Sequence, residues 1–274
     1  MSSRGLELVR ARGLAPKKSF GQHFLHEAKA IARIAELATT PPGGTVLEIG
    51  AGLGALTEAL ADRAARVVAI ERDRDLVPLL RELLAARDNV AIVEADAARI
   101  DWKEPLASGP KPRVLAGNLP YQITGLLLER AVQHASELDR VVFMVQHEVA
   151  QRVAAAPGSR DYGALSVFVQ AAFAVERALR IGPGAFTPPP EVSSAVIVLT
   201  PAARAEETPL FREVVHAAFG QRRKTLRNAW RKLLDRDALE AAAARASIDL
   251  AARAEQLSVD DFARMTAAVA AARG

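Results

Sequence analysis

Hydrophobic residues along the chain fall into two rhythms. Short runs rich in Val, Ile and Leu, at 45–49, 66–70, 90–93, 113–116 and 140–146, predict strands; the stretches 55–63, 75–86 and 124–133 carry apolar residues at helical spacing. Alternation of this kind predicts a mainly parallel sheet with helices on both faces. Ahead of it, 27–39 reads as a helix with Ile31, Ile34, Ala35 and Ala38 on one face, ended by P-P-G-G at 41–44. Behind it, 146–153 reads as a helix and 157–163 as an exposed loop. The closing strands are 173–181 and 193–200, joined through a stiff extended bridge, F-T-P-P-P at 186–190. After Pro201 the pattern turns wholly helical. The expected organisation is an arm over 1–25, an α/β domain with a seven-stranded, mainly parallel sheet over 26–200, and a small all-α domain over 201–274.

Ligands of such sheets lie beyond the carboxyl ends of the strands. Four successive ends carry polar groups: Glu48 with Gly50, then Glu71, Asp96, and Gly117 with Asn118. The first, E-I-G-A-G-L-G-A-L-T at 48–57, reads as a strand, a glycine turn and a helix start. Gly50, Gly52 and Ala55 satisfy the G-x-G-x-x-G/A spacing of a nucleotide-binding turn, and Glu71 lies where a ribose-binding carboxylate is expected. Each acid by itself has a plainer reading. Glu71 opens E-R-D-R-D, which suits a solvated helix start, and Asp96 suits an N-cap or a turn. Their joint placement on one crevice favours a nucleoside-containing ligand. Glu48 then discriminates between cofactors. A pyrophosphate would be repelled by an acid two residues before the first glycine, whereas S-adenosylmethionine carries a cationic sulfonium and an ammonium that an acid suits.

N-L-P-Y at 118–121 follows the fourth strand. Read structurally, it is a strand-ending turn with Pro120 as stop and Tyr121 as packing. Read chemically, it can hold an exocyclic aromatic amine, whose lone pair is delocalised into its ring. The Asn118 side-chain oxygen and a backbone carbonyl at Leu119 or Pro120, stiffened by the fixed φ of proline, supply two acceptors for the N–H groups. Tyr121 adds a face for a base taken out of its stack. No strong general base is required, because a positive sulfur already activates the methyl donor and positioning carries much of the rest.

Composition narrows the field. With 274 residues, half of them hydrophobic, the chain can bury a sizeable core, and no apolar run approaches the roughly 20 residues of a membrane span, so a cytosolic protein is expected. The absence of cysteine excludes disulfides, thiolate nucleophiles and Cys-ligated zinc; His23 and His26 are the nearest approach to a ligand pair, and no metal site is expected. His147 and Glu148 are adjacent on a helix and point apart, so they read as a solvated face. The net charge is +4, but 1–25 holds five Lys/Arg against one acid and 201–274 thirteen against ten. Basic ends around an acidic middle point to an acidic partner gripped from the flanks. In the arm, Lys17 and Lys18 precede Phe20 and Phe24 around Gly21 and Gln22, a segment able to fold over a bound nucleoside. Over 221–234, Arg222, Arg223, Lys224, Arg227, Arg231 and Lys232 stand without an acid. On one helix Arg223, Arg227 and Arg231 would form a stripe opposite Leu226, Trp230 and Leu233, so phosphate contact is expected.

Taken in order, F-G-Q-H-F-L at 20–25, E-I-G-A-G-L-G-A-L-T at 48–57, I-E-R-D at 70–73, E-A-D-A at 94–97, N-L-P-Y, and F-T-P-P-P-E-V-S-S-A-V at 186–196 resemble the ribosomal RNA small-subunit adenine dimethyltransferase family, the bacterial kasugamycin-sensitivity enzymes. The resemblance implies a Rossmann-like class I methyltransferase fold with a helical RNA-binding domain. It also implies transfer of two methyl groups from S-adenosylmethionine to each of two adjacent adenosines near the 3′ end of small-subunit ribosomal RNA. The substrate would be the immature small subunit, late in assembly, and a monomer is the default. By matching position, Gln22, His23 and Leu25 would close over the cofactor and Glu48, Gly50 and Gly52 would form its loop. Glu71 with Arg72 would meet the ribose, Asp96 with Ala97 the adenine. Asn118 would border the sulfonium and the target nitrogen, with Leu119 and Pro120 completing the acceptor site, while Tyr121 and Phe186 sandwich the base. Lys17, Lys18, Arg222, Arg223, Lys224, Arg227 and Arg231 are assigned to RNA. His23 stands where the family often has Asn, Ala51 where it often has Pro, and Gln122 where Asn or His is common; His23 leaves the cofactor contact at the arm open. Two other readings share features: the related large-subunit RNA methyltransferase of macrolide resistance, and a nucleic-acid-binding assembly or transcription factor without turnover. The second would expect a decayed N-L-P-Y or Glu71, and both are intact.

Overall fold

The computed structural model describes residues 2–17, 20–220 and 224–274, and the chain divides into two compact units, Met1–Ala150 with Glu176–Pro201 and Gln151–Val175 with Ala202–Gly274. In chain order the elements are α1 (Ser2–Ala11), β1 (Phe24–Leu25), α2 (Ala28–Ala38), β2 (Thr45–Ile49), α3 (Ala55–Ala61), β3 (Arg66–Glu71), α4 (Val77–Leu83), β4 (Val90–Glu94), α5 (Lys103–Ala107), β5 (Arg113–Asn118), α6 (Thr124–Gln133), β6 (Arg140–Gln146), α7 (His147–Val153), α8 (Ala164–Ala172), β7 (Phe173–Ile181), β8 (Phe186–Thr187), β9 (Ser194–Pro201), α9 (Pro209–Phe219), α10 (Leu226–Ala229), α11 (Arg236–Ala246) and α12 (Val259–Arg273). No helix among the described residues is long and apolar enough to cross a membrane.

The first unit is built on the sheet that the alternation predicts, seven strands in the order β4-β3-β2-β5-β6-β9-β7. Strands β2 to β6 pair in parallel, and β9 runs antiparallel to β6. Val46, Leu47, Ile49, Val67, Ile70, Leu115 and Phe143 are buried, as a sheet covered on both faces requires. From β2 the chain steps outward to β3 and β4, then returns to add β5 on the other side. That reversal opens a crevice between the carboxyl ends of β2 and β5.

Glycines let the backbone meet itself at that point. Gly50, Gly52 and Gly54 take φ of 77°, 58° and 77°, a region costly for other residues, and the N–H groups of Gly50 and Ala51 both donate to the Ile70 carbonyl, at 2.9 and 3.1 Å. Gly117, near the end of β5, is needed for room: a Cβ there would lie 2.4 Å from the Ile49 carbonyl oxygen.

The arm is part of this unit rather than a separate body. Val9 of α1 joins Phe24, Leu53, Leu76 and Leu79 in one apolar cluster, and β1 pairs antiparallel with β8, Phe24 opposite Thr187 and Leu25 opposite Phe186. The proline bridge therefore begins as a short strand tied to the arm.

The second unit corrects the expected boundary at residue 200. Residues 151–175 belong with the C-terminal helices because α8 turns Val167, Phe168 and Ala171 into the same core as Phe211, Trp230 and Phe262. Tyr162, expected in an exposed loop, is fully buried in that core. Its helices are capped locally, α11 by the Asp235 side chain accepting from Ala238 N and α12 by a Ser258–Asp261 capping box.

The basic stretch does not form the expected single helix. Thr225 is extended, with φ −67° and ψ 159°, and α10 runs only over Leu226–Ala229. The N–H groups of Leu226 and Arg227 donate to the carbonyls of Ala252 and Leu250, at 2.9 and 3.0 Å, so they cannot continue a helix from upstream. The apolar side is as expected: Leu226, Trp230 and Leu233 are buried, and Trp230 Nε1 donates to the Val214 carbonyl at 2.9 Å.

Replacing Gly117→Ala should lower the denaturant midpoint by the equivalent of about 1–3 kcal/mol, the usual cost of forcing extra volume into packed structure. Gly125→Ala in α6, where a Cβ meets nothing within 4 Å, should leave stability unchanged or raise it by up to about 1 kcal/mol. Equal midpoints for the two variants would show that the β2–β5 approach is not tight.

Candidate active site

A cavity opens on this crevice, lined by residues 20–25 of the arm, 48–53 of the glycine loop, Glu71 and Arg72, 95–97 after β4, and 118–123 after β5. The sequence-predicted residues Gln22, His23, Leu25, Glu48, Gly50, Gly52, Glu71, Arg72, Asp96, Ala97, Asn118, Leu119, Pro120 and Tyr121 all lie on its wall. Phe186 does not.

Two carboxylates sit almost without water at the ends of adjacent strands. Glu48 is 1% exposed, and burial pushes its carboxyl up to about 7, with the Thr57 hydroxyl acting the other way at a geometry short of a hydrogen bond and the Glu71 charge adding to the rise. Its Oε2 is buried without a hydrogen-bond partner. An orphaned acceptor of this kind on a cavity wall fits a cationic donor such as the ammonium of S-adenosylmethionine. Glu71 is better satisfied. Its Oε2 accepts from Gly52 N at 2.7 Å and its Oε1 from Asp73 N at 2.8 Å; burial still holds its pKa above the ordinary value, opposed by these N–H groups. Glu71 thus fixes the glycine loop, and each oxygen keeps a lone pair for a ligand hydroxyl.

Asp96 has the turn role that its plainer reading allows and a place on the cavity wall as well. Its Oδ1 accepts from Ala98 N at 2.9 Å, and Arg72 lies 3.8 Å from its Oδ2. The Arg72 guanidinium also covers the Phe20 ring, 4.9 Å from its centroid.

The arm is clasped by acids that sequence reasoning passed over. Lys17 Nζ reaches Asp73 at 2.5 Å and Asp75 at 2.6 Å, and Gln22 Nε2 donates to Asp73 at 2.7 Å while its Oε1 accepts from Lys17 N. Burial works to raise the Asp73 pKa, but Lys17 and Gln22 outweigh it and the net shift is downward. The signal was present in E-R-D-R-D, whose two aspartates read there only as helix-start acids. Lys17, expected on RNA, is instead neutralised by this clasp. Lys18, Arg222 and Arg223 lie outside the described residues.

On the acceptor side, Asn118 Nδ2 donates to the His23 carbonyl at 3.0 Å. A carbonyl only accepts, so this bond fixes the amide orientation and leaves Oδ1 as the free acceptor. The Pro120 carbonyl is taken by Ile123 N and by Thr124 Oγ1, so Leu119 supplies the carbonyl that the turn leaves open. Tyr121 is braced by its hydroxyl against Ser194 Oγ at 2.8 Å, a contact that only the S-S-A-V end of the last motif hinted at.

Phe186 departs from its expected place against the target base. Its backbone pairs with Leu25 and its side chain, 2% exposed, packs among Leu25, Ile181 and Ala185; bringing it out would forfeit roughly 1.5–3 kcal/mol. The ring that stacks on Tyr121 is His23, with centroids 5.7 Å apart and planes at 25°. In the second unit, Arg227 pairs with Glu240 at 2.5 Å, so the expected run without an acid is compensated through the fold. Lys224 and Arg231 are exposed, with no acid partner among the described residues. No group of three or more metal-ligating side chains is found among the described residues.

The chain is similar to known proteins over nearly its whole length. Residues 13–271 match the family described as Ribosomal RNA adenine dimethylase. The Ribosomal RNA small subunit methyltransferase A of Anaeromyxobacter sp. (strain K) is 46% identical over 267 residues, covering 92% of this chain and 93% of its own. The protein of that name from Pseudomonas aeruginosa is 43% identical over 253 residues, covering 91% and 92%. Among solved structures, the 23S rRNA methyltransferase ErmE aligns with a TM-score of 0.67 at 28% identity, over 90% of this chain and 99% of its own. A dimethyladenosine transferase from Plasmodium falciparum aligns at 0.73 with 22% identity, over 89% and 96%, a likeness of fold alone.

The raised Glu48 pKa has a signed consequence. Between the ordinary value of 4.5 and about 7 the native state holds a proton that the unfolded chain has lost, so stability falls as pH rises through that window. Glu48→Gln removes the cost: it should stabilise the ligand-free protein by about 3 kcal/mol at pH 8 and change little at pH 4. Urea midpoints at the two pH values measure this, and a variant that keeps the wild-type pH slope would count against it.

Proposed function

The chain belongs to the ribosomal RNA adenine dimethylase family, and on that premise we propose that it dimethylates the exocyclic amines of two adjacent adenosines near the 3′ end of small-subunit ribosomal RNA, within the immature subunit late in its assembly. As a member it is a methyltransferase that uses S-adenosylmethionine, which supplies a methyl group made electrophilic by its positive sulfur. The observation that carries the finer reading is the Asn118 amide: its Nδ2 donates to the His23 carbonyl, which leaves Oδ1 as an acceptor on a residue that lines the cavity with Leu119. Two acceptors at that corner suit the two N–H groups of an adenine amine. Holding both draws the nitrogen lone pair out of the ring and aims it.

The remaining residues divide the work. Glu48 receives the cofactor's ammonium and Glu71 its ribose hydroxyls. Asp96 and Ala97 meet its adenine, Arg72 and Phe20 cover that end, and Gln22 and Leu25 of the arm complete the enclosure with the backbone of Gly50 and Gly52. Tyr121 gives the target base a face, braced by Ser194. Lys224 and Arg231 of the second unit contact RNA phosphates, with Arg227 contributing less because Glu240 already neutralises it. The protein acts as a cytoplasmic monomer. A large-subunit target is the second reading, favoured by the likeness to ErmE at 28% identity.

Tritiated-methyl transfer to unmethylated small subunits should fall by about 100-fold or more in Asn118→Ala, in line with the loss of one oriented polar group at a reacting centre, while cofactor affinity stays within about threefold. Equal label from both proteins would remove Asn118 from the chemistry. Primer extension on both ribosomal RNAs identifies the target: stops confined to the large-subunit RNA would favour the second reading. Neutralising Lys224 and Arg231 together should reduce the slope of log affinity for RNA against log salt by roughly 1.4–1.8, and an unaltered slope would exclude them from phosphate contact.

A further inference from the structure

Resting on the reading of this cavity as an adenine methylation site, we propose that His23 is a positioning residue of the acceptor side: its ring is the second wall of the base slot opposite Tyr121, and its carbonyl sets the Asn118 amide. The slot needs a second wall because a base lifted from its stack loses neighbours on both faces and Tyr121 replaces only one. Phe186 is committed to the core beneath Leu25. His23 faces Tyr121 directly.

His23 is held firmly enough to act as a wall. Immediately after it, Phe24 and Leu25 pair with β8, and His26 N donates to the Ala185 carbonyl at 2.9 Å. Its Nδ1 lies 2.8 Å from the Pro188 carbonyl, which can only accept, so Nδ1 carries a hydrogen. The ring is therefore latched to the proline bridge on one side while the backbone carbonyl is bonded to Asn118 on the other. An aromatic base between two rings needs roughly 7 Å between them, two van der Waals layers of about 3.5 Å. The present centroid separation of 5.7 Å makes the slot one that a base must widen by a little over an ångström. One residue thus links the two requirements of the reaction, a clamped base and a correctly turned amide.

Single-turnover methyl transfer to unmethylated small subunits at saturating S-adenosylmethionine separates these parts, with cofactor affinity and thermal midpoint measured on each full-length variant. His23→Ala removes the face and the latch, His23→Asn keeps a donor for Pro188 without the face, and His23→Phe keeps the face without the donor. The Ala and Asn variants should slow by about tenfold, and Phe should recover most of the rate, since base–aromatic stacking is worth about that much. Cofactor affinity should stay within about threefold throughout. Asn at the wild-type rate, Phe as slow as Ala, or a loss that follows cofactor affinity or the thermal midpoint would each overturn the proposal. Tyr121→Ala is the reference. If wild type transfers label and Tyr121→Ala does not, a wild-type rate in His23→Ala sinks the His23 proposal alone; if wild type transfers no label, the methylation reading falls with it.

Discussion

Two carboxylates kept almost dry at the ends of adjacent parallel strands set the terms for the rest of the site. Burying a charge is costly unless hydrogen bonds or an opposite charge offset it, and Glu48 and Glu71 meet that demand differently. Glu71 recruits backbone N–H groups, and the left-handed turn at Gly52 is what brings one of them onto its Oε2. Glu48 has no such donors and holds a proton up to about pH 7. On the proposed reading, its unmet demand would favour a ligand that carries a cation. A ligand that brings a positive group displaces that proton and is favoured by the same burial that penalises the free enzyme, whereas a pyrophosphate would deepen the penalty.

The arm ties the two ends of the cavity together. Lys17 and Gln22 anchor it through Asp73, two residues beyond Glu71, and β1 anchors it through β8 to the proline bridge. Between these anchors, residues 20–25 line the cavity from the cofactor side to the acceptor side. The arm's lysine is consumed in this fastening. A cation that looks available to a nucleic acid in one dimension is neutralised by an aspartate 56 residues away.

What could be read from the sequence follows from the range of the interactions involved. The parallel sheet, the polar strand ends and the grouping of Glu48, Glu71, Asp96 and Asn118 were legible because strand periodicity and the rule for parallel sheets place strand ends together whatever packs above them. The membership of α8 was not, since its apolar face suits either core and only Phe211, Trp230 and Phe262 decide between them. The break in the basic helix was invisible for a similar reason. Arg227 and its neighbours have sound helix propensity, but the N–H groups of Leu226 and Arg227 are claimed by carbonyls at Ala252 and Leu250. Phe186 was found as a motif residue, while its direction is fixed by pairing with Leu25, which no local pattern encodes.

On the proposed reading the crevice would hold an adenine amine, and the choice of RNA would be made elsewhere. Asn118, Leu119 and Tyr121 would recognise an unstacked adenine in any RNA that presents it, because they contact the amine and the ring face and nothing of the flanking sequence. Choice of RNA must then come from surfaces away from the crevice, where phosphate contact dominates affinity and shape dominates fit. In the second unit the cations are unequal for that purpose. Arg227 with Glu240, Arg204 with Asp260 and Arg273 with Glu213 already have carboxylate partners, and placing RNA against them gains little because each pair must first be disrupted. Lys224 and Arg231 have no such competitor among the described residues. The fold therefore removes Arg227 from the charges that this basic stretch can offer, and on the proposed reading the positions of those left, more than their number, would select the RNA surface.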